Sequence, residues 1–252
     1  MKALALSALL LAAAGPAARA EVTHVRLRAQ SADAKFIGTH TGGVGITLTD
    51  ARTGKVLARG TTTGGTGDTA RIMTTPHQRG AAIADGDTAA FDTVLDLNEP
   101  TLVRADAVGP LGRPASVIHV SSEAWILPGR DIGGDGWVLT FPGLVIEPSA
   151  TPEAGGGLAI AARVTLMCGC PIQPGGLWDA ANYTVEARLL RGRRQIGVTR
   201  LAYAGQPSQF AGALQGVAPG RYRLRLTATD ARTPNAGVVE QPVRVLRPPA
   251  TH

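Results

Sequence analysis

The sequence predicts an all-β protein, two β-sandwich domains in tandem behind a cleaved signal peptide. Two observations carry that prediction. Apolar and polar residues alternate along most of the chain, and glycine and proline supply 32 and 17 of the 252 residues against an apolar content of 44%. Period 2 marks a strand with one buried face. Turn residues at this density suit many short strands joined tightly, rather than helices or disorder.

The first twenty residues read as the signal peptide. Lys2 gives the positive start, residues 3–14 the apolar stretch, and Ala18-Arg19-Ala20 the cleavage site before Glu21. That stretch falls short of the ~20 apolar residues of a membrane span, and polar residues or glycines interrupt every later apolar run. A periplasmic or secreted protein without membrane insertion is expected. No cysteine follows the cleavage site, so no lipid anchor is expected either.

The N-terminal sandwich is assigned to residues 21–148. Val25, Leu27 and Ala29 fall on one face, with Arg26 and Arg28 on the other. Residues 45–50 repeat the pattern, and Thr53-Gly54 turns the chain into 55–59 as a hairpin. Further strands are expected at 90–97, 101–108, 115–121, 124–127, 137–141 and 144–146. Residues 60–83 are expected to form a glycine- and threonine-rich loop, with a short strand only at 70–73. The hairpin from Asp50 to Gly60 resembles those of transthyretin-like and carboxypeptidase-regulatory-like sandwiches. That resemblance implies a β-sandwich and nothing about ligands.

Residues 149–157, with Pro152 and three glycines at 155–157, have linker composition. The C-terminal sandwich is assigned to 158–248, with strands at 158–167, 183–190, 195–202, 209–214, 221–230 and 238–246. Its end, Ala218-Pro219-Gly220-Arg221-Tyr222 running on to Ala228-Thr229-Asp230, resembles the last strands of bacterial Ig-like domains. The resemblance implies that Tyr222 is a tyrosine corner, its hydroxyl bonding back to the backbone. It implies architecture only, because this fold hosts many functions.

Without Lys2 and Arg19 the chain carries 23 basic and 19 acidic residues. The arginines look evenly spread on alternating strand positions, apart from Arg191, Arg193 and Arg194. Nucleic-acid surfaces concentrate charge and add aromatic platforms. With 4% aromatics, no nucleic-acid partner is expected, and a protein partner is.

Chemistry is asked for at one place, Met167-Cys168-Gly169-Cys170-Pro171, which holds both cysteines. A bond between residues two apart closes so small a loop that chain entropy gives only about 1.6 kcal/mol. In an extended strand the two Cα atoms would also sit near the far limit of disulfide geometry, at about 6.5 Å. A soft-metal site is therefore the leading expectation: Cu(I) on Cys168 and Cys170 with Met167 as third ligand, although alternation points Met167 to the opposite face. His24, His40, His77 and His119 are further possible recruits. The alternative is a structural or protein-interaction module in which Cys168–Cys170 is a local disulfide. Trp178 is expected to cover the turn. No catalytic residue is assigned, and no enzyme activity is expected. Ser116, His119 and Asp131 can be drawn as a triad, but no nucleophile elbow accompanies them. Asp131 and Asp135 lack the ligand ladder of a calcium loop. The glycine run at 61–68 lacks the ending of a phosphate loop.

Overall fold

The computed structural model describes residues 21–153 and 156–246; the expected signal peptide at 1–20, residues 154–155 of the expected linker and the terminal 247–252 lie outside the described residues. The protein is all-β. The first sandwich uses β1 (Glu21–Ser31), β2 (Gly45–Asp50), β3 (Val56–Thr61), β4 (Phe91–Leu97), β5 (Thr101–Gly109), β6 (Ile118–Ile126) and β7 (Ile132–Phe141). Sheet β4-β1-β7 faces sheet β3-β2-β5-β6, and between them lie Val25, Leu27, Ile46, Leu48, Val103 and Leu139, each nearly inaccessible to water. These are the inward positions of the period-2 pattern, so register is enforced by burial: a one-residue slip would expose the whole set.

The second group is β8 (Leu144–Glu153), β9 (Gly157–Leu166), β10 (Tyr183–Arg191), β11 (Arg194–Tyr203), β12 (Gln209–Leu214), β13 (Gly220–Asp230) and β14 (Ala236–Val245). They follow one order, β14-β13-β10-β11-β12-β9-β8. β11 and β12 share only two paired positions, Ala202↔Ala211 and Tyr203↔Phe210. There the sheet folds over, giving two layers around Leu158, Val164, Val185, Leu189, Leu224 and Leu226. Tyr222 donates its hydroxyl hydrogen to Ala218 O at 2.6 Å, the contact implied for a tyrosine corner.

Three expectations differ from the structure. Residues 149–153 are not linker: they complete β8, laddered to β9 as far as Glu153↔Gly157. β8 ends the sheet order, and an edge strand tolerates Pro148 and Pro152 because their missing N–H can face away from the partner. Residues 118–126 form one strand where two were expected, since alternation continues through Ser121-Ser122 in register with β5. Residues 70–74 make a helical turn rather than a strand, started by Asp68 Oδ1 accepting the Arg71 N–H at 2.6 Å.

β8 and the end of β9 join the two cores. Leu144 and Ile146 point into the second core, while Val145 between them is buried in the first. Asn235, in the β13–β14 turn, bridges the same junction: its Nδ2 donates to Ala32 O (2.9 Å) and its Oδ1 accepts from Gly143 N (2.8 Å).

Candidate functional site at the sandwich junction

β9 ends at Leu166, and the chain then turns back so that Pro171 bridges Thr165. Gly169 N donates to Leu166 O (2.8 Å) and Leu166 N to Cys170 O (3.3 Å). Gly169 makes the turn at φ +77°, a conformation that L side chains resist. The cysteines thus sit in a tight turn and not on the extended strand expected. Their Cα atoms are 5.4 Å apart, well inside the disulfide range, and the sulfurs are bonded to each other.

Cys168 and Cys170 pack in the second core. Met167 is buried in the first, its ε-methyl lying where a side chain on Gly143 would have to go. The expected third ligand therefore faces away from the sulfurs, because the turn keeps neighbouring residues on opposite sides. Sulfurs bonded to each other are not thiolates. Among the described residues no three His, Cys, Asp or Glu side chains converge as a metal group.

One first-sandwich residue does meet the turn. A Cβ on Gly169 would lie 2.4 Å from His40 Nε2, so the imidazole occupies the space that the glycine leaves. Burial along that edge, then repulsion from Arg113, holds the His40 pKa below its ordinary value; a hydrogen bond to the Cys168 backbone opposes them. The ring is neutral near pH 7. His40, Lys35, Thr69, Cys170, Pro171 and Trp178 line a shallow cleft of about 330 Å³. Trp178 covers the turn and ties it across the junction, Nε1 donating to Asp33 O at 2.9 Å. Ser31 Oγ accepts the Met167 N–H at 3.2 Å. The cleft offers an imidazole, an ammonium and hydroxyls beside a disulfide, with no carboxylate in its lining.

The other constellations are divided among structural tasks. Ser116 Oγ accepts from Ile146 N (3.1 Å), His119 Nε2 meets Asp106 Oδ1 (3.1 Å), and Asp131 Oδ1 accepts from His24 N (2.7 Å). The drawn triad is not assembled. Residues 133–136 bulge out of β7, because Val25 pairs with Ile132 while Leu27 pairs with Trp137. Asp135 then caps the amides of Ile83 (3.0 Å) and Ala84 (2.8 Å) instead of facing Asp131. The excursion between β3 and β4 is pinned by Arg28, buried at 2% exposure, which donates through Nη1 to the carbonyls of Thr88 and Ala89. Burial lowers the Arg28 pKa and leaves its Nε without a partner among the described residues.

His40 stands in the sequence only as one of several histidines, and Asn235 only as part of the turn sequence Thr233-Pro234-Asn235-Ala236-Gly237. Neither carries a spacing signal, since each acts across the junction on residues more than 90 positions away in sequence.

No family model matches the chain, and no curated protein does. Among solved structures, selenomethionine-substituted chicken interferon gamma receptor alpha chain aligns with 81% of this chain and 85% of its own length, at 8% identity and a TM-score of 0.28. A likeness that weak carries no argument about function.

Proposed function

We propose that the protein is an exported, non-enzymatic binding module for a protein partner, in which two β-sandwiches are braced at their junction by the Cys168–Cys170 turn. One observation supports this most. The only cysteines are bonded to each other and buried where the second sandwich meets His40 and Asp33 of the first. A disulfide fits a compartment outside the cytoplasm. The polar groups drawn as catalytic are engaged in holding backbone amides and a neighbouring carboxylate, which supports scaffold over enzyme.

The test is capture from the native compartment. Cross-linking the mature protein there, followed by mass spectrometry, is expected to show a quantitative Cys168–Cys170 bond and a discrete protein partner. Capture is expected to persist in a Cys168→Ser/Cys170→Ser variant held below its melting temperature. Absence of any stoichiometric partner would remove the reading.

A second reading, Cu(I) binding, is favoured by the position of His40. On reduction, two thiolates would share the cleft with an imidazole, so that His40 takes the place expected of Met167. Anaerobic titration of the reduced protein against a competing Cu(I) chelator checks it. Affinity no greater than that of the double serine variant ends it.

A further inference from the structure

The evenly spread arginines of the sequence are segregated in the fold. Residues 21–153 hold eleven basic and fifteen acidic side chains, whereas 156–246 hold eleven arginines and four carboxylates. Nearly all of that excess lies in one place. Arg188, Arg200, Arg221, Arg223, Arg225 and Arg244 stand on the outer face of the four adjacent strands β11, β10, β13 and β14. Arg193 and Arg194 continue it through the β10–β11 turn, while Arg191 is held on the tyrosine corner, its Nη2 donating to the Tyr222 hydroxyl oxygen at 2.6 Å with the guanidinium over the ring. Only Glu186 and Glu240 oppose them on this face. Away from it, Arg163 and Arg232 are balanced by Asp179 and Asp230, so six of the seven surplus positive charges belong to this face and the seventh is Arg191.

Three cross-strand pairs join like charges, Arg188↔Arg225, Arg221↔Arg244 and, at the β10–β11 turn, Arg191↔Arg194. Like charges directly opposite destabilise a sheet. Arg225 and Arg188 are relieved by Glu240 and Glu186. Arg221 and Arg244 are exposed and have no carboxylate partner among the described residues. The face spends folding stability to keep guanidinium groups presented to solvent, which calls for an anionic complement from outside.

The rest of the face identifies the kind of complement. Ile196, Val198 and Val238 are exposed between the arginines, at 40%, 46% and 56%. A protein segment can bury them; a hydrated polyanion gains little from them. No aromatic ring stands at the outward positions of these strands, so nothing is offered for stacking bases or sugars. Successive outward arginines on β13 repeat every second residue, about 6.8 Å, the interval at which an extended peptide presents carboxylates on one side. Guanidinium forks bind carboxylates in paired, planar geometry.

Resting on the reading of the protein as a protein-binding module, we infer that this arginine face is its docking surface, and that it takes an extended, acidic segment of the partner with carboxylates on one side and aliphatic side chains interspersed.

The probe is a fluorescent decapeptide alternating glutamate with threonine and valine, titrated into the full mature chain at low salt. Saturable 1:1 binding is expected, weakening as salt rises. Arg221→Glu is expected to weaken it about tenfold while melting stays level or rises, because the new glutamate faces Arg244. Arg193→Ser/Arg194→Ser, in an exposed turn, is expected to weaken it by a smaller factor. Arg59→Glu, with the same change in net charge on the first sandwich, is expected to leave it unchanged. The inference is overturned by absence of saturable binding, by equal losses in Arg221→Glu and Arg59→Glu, or by tighter binding of phosphatidylglycerol vesicles or a short DNA duplex at matched salt. If the cross-linked partner is still captured by Arg221→Glu, this surface assignment falls and the module survives. If the wild-type chain captures no protein, the module falls first.

Discussion

The two sandwiches have similar interiors and opposite exteriors. Inside, each is a layer of alternating Val, Leu, Ile and Ala side chains with almost no accessible surface. Outside, the first mixes both signs, as in the Arg26–Asp92 and Arg104–Asp106 pairs, while the second gathers its arginines on one sheet face. The loops differ too. The first commits a long excursion to a buried arginine clamp, and the second commits a five-residue turn to a disulfide. Inward positions must satisfy packing, which is the same problem in both domains. Outward positions are released from it, and there the two have diverged.

If the cores are equivalent and are sealed together by Val145 and Met167, large cuts in either should be felt by both. Leu48→Ala in the first core and Leu226→Ala in the second remove side chains with no accessible surface. Each is expected to cost about 2–5 kcal/mol, and calorimetry is expected to show one transition moving down in both variants. Two separate transitions, with only the mutated domain shifted, would break the picture of a shared junction.

The junction turn gives the next largest effect. Gly169→Ala places a methyl at φ +77° against His40, whereas Gly54→Ala places one at φ +74° in open space. The conformational penalty is common to both, about 1–2 kcal/mol. The difference in melting between the two variants therefore isolates the His40 contact, and Gly169→Ala is expected to be the worse. Equal losses would mean that the imidazole swings aside at no cost.

Cys168→Ser/Cys170→Ser is expected to cost about 2 kcal/mol. About 1.6 kcal/mol of that comes from the lost constraint on the unfolded chain, and the remainder from hydroxyls replacing sulfur in the second core. Denaturant titration checks it. A loss below a few tenths of a kcal/mol would show that the turn holds without its bond, and would add weight to the Cu(I) reading of the sulfurs. Trp178→Phe is expected to cost less, about 1 kcal/mol, by leaving Asp33 O without its donor.

Strand positions and the tyrosine corner were legible in the sequence because local periodicity and burial agree. Val25, Leu27 and Ala29 point inward whichever strand they face, and Tyr222 reaches only four residues back. The errors arise where a second strand decides. Pro152 reads as linker until β8 is seen to be an edge, and Ser122-Glu123 as a break until β5 is seen to pair through it. The Cys-Gly-Cys turn announced a special site, but not which side chain would meet it. Met167 is adjacent in sequence and His40 is 128 residues away, and the fold chose the distant one. The arginine face was invisible for a similar reason. Alternation shows that Arg221, Arg223 and Arg225 share a face, but only the pairing β10-β13-β14 brings Arg188 and Arg244 beside them.

The smallest effect separates the domains by pH. The imidazole of His40 comes from the first sandwich and its Gly169 surface from the second, and burial together with Arg113 lowers its pKa in the folded state. The unfolded chain then binds the proton more readily than the folded one, so stability is complete above the ordinary histidine value near 6.5 and falls as pH drops through the lower folded value. His40 is an exposed residue, so the expected drop in melting between pH 7 and pH 5 due to His40 is small, about 1 °C, read as the difference between wild type and His40→Gln. Since repulsion from Arg113, Lys35 and Arg163 supplies part of the shift, 0.5 M salt is expected to shrink the difference without abolishing it, because screening weakens the charges and leaves the burial against Gly169 in place. A difference of the opposite sign would mean that the protonated ring is the better partner of the Cys168 carbonyl, and that the junction tightens in acid.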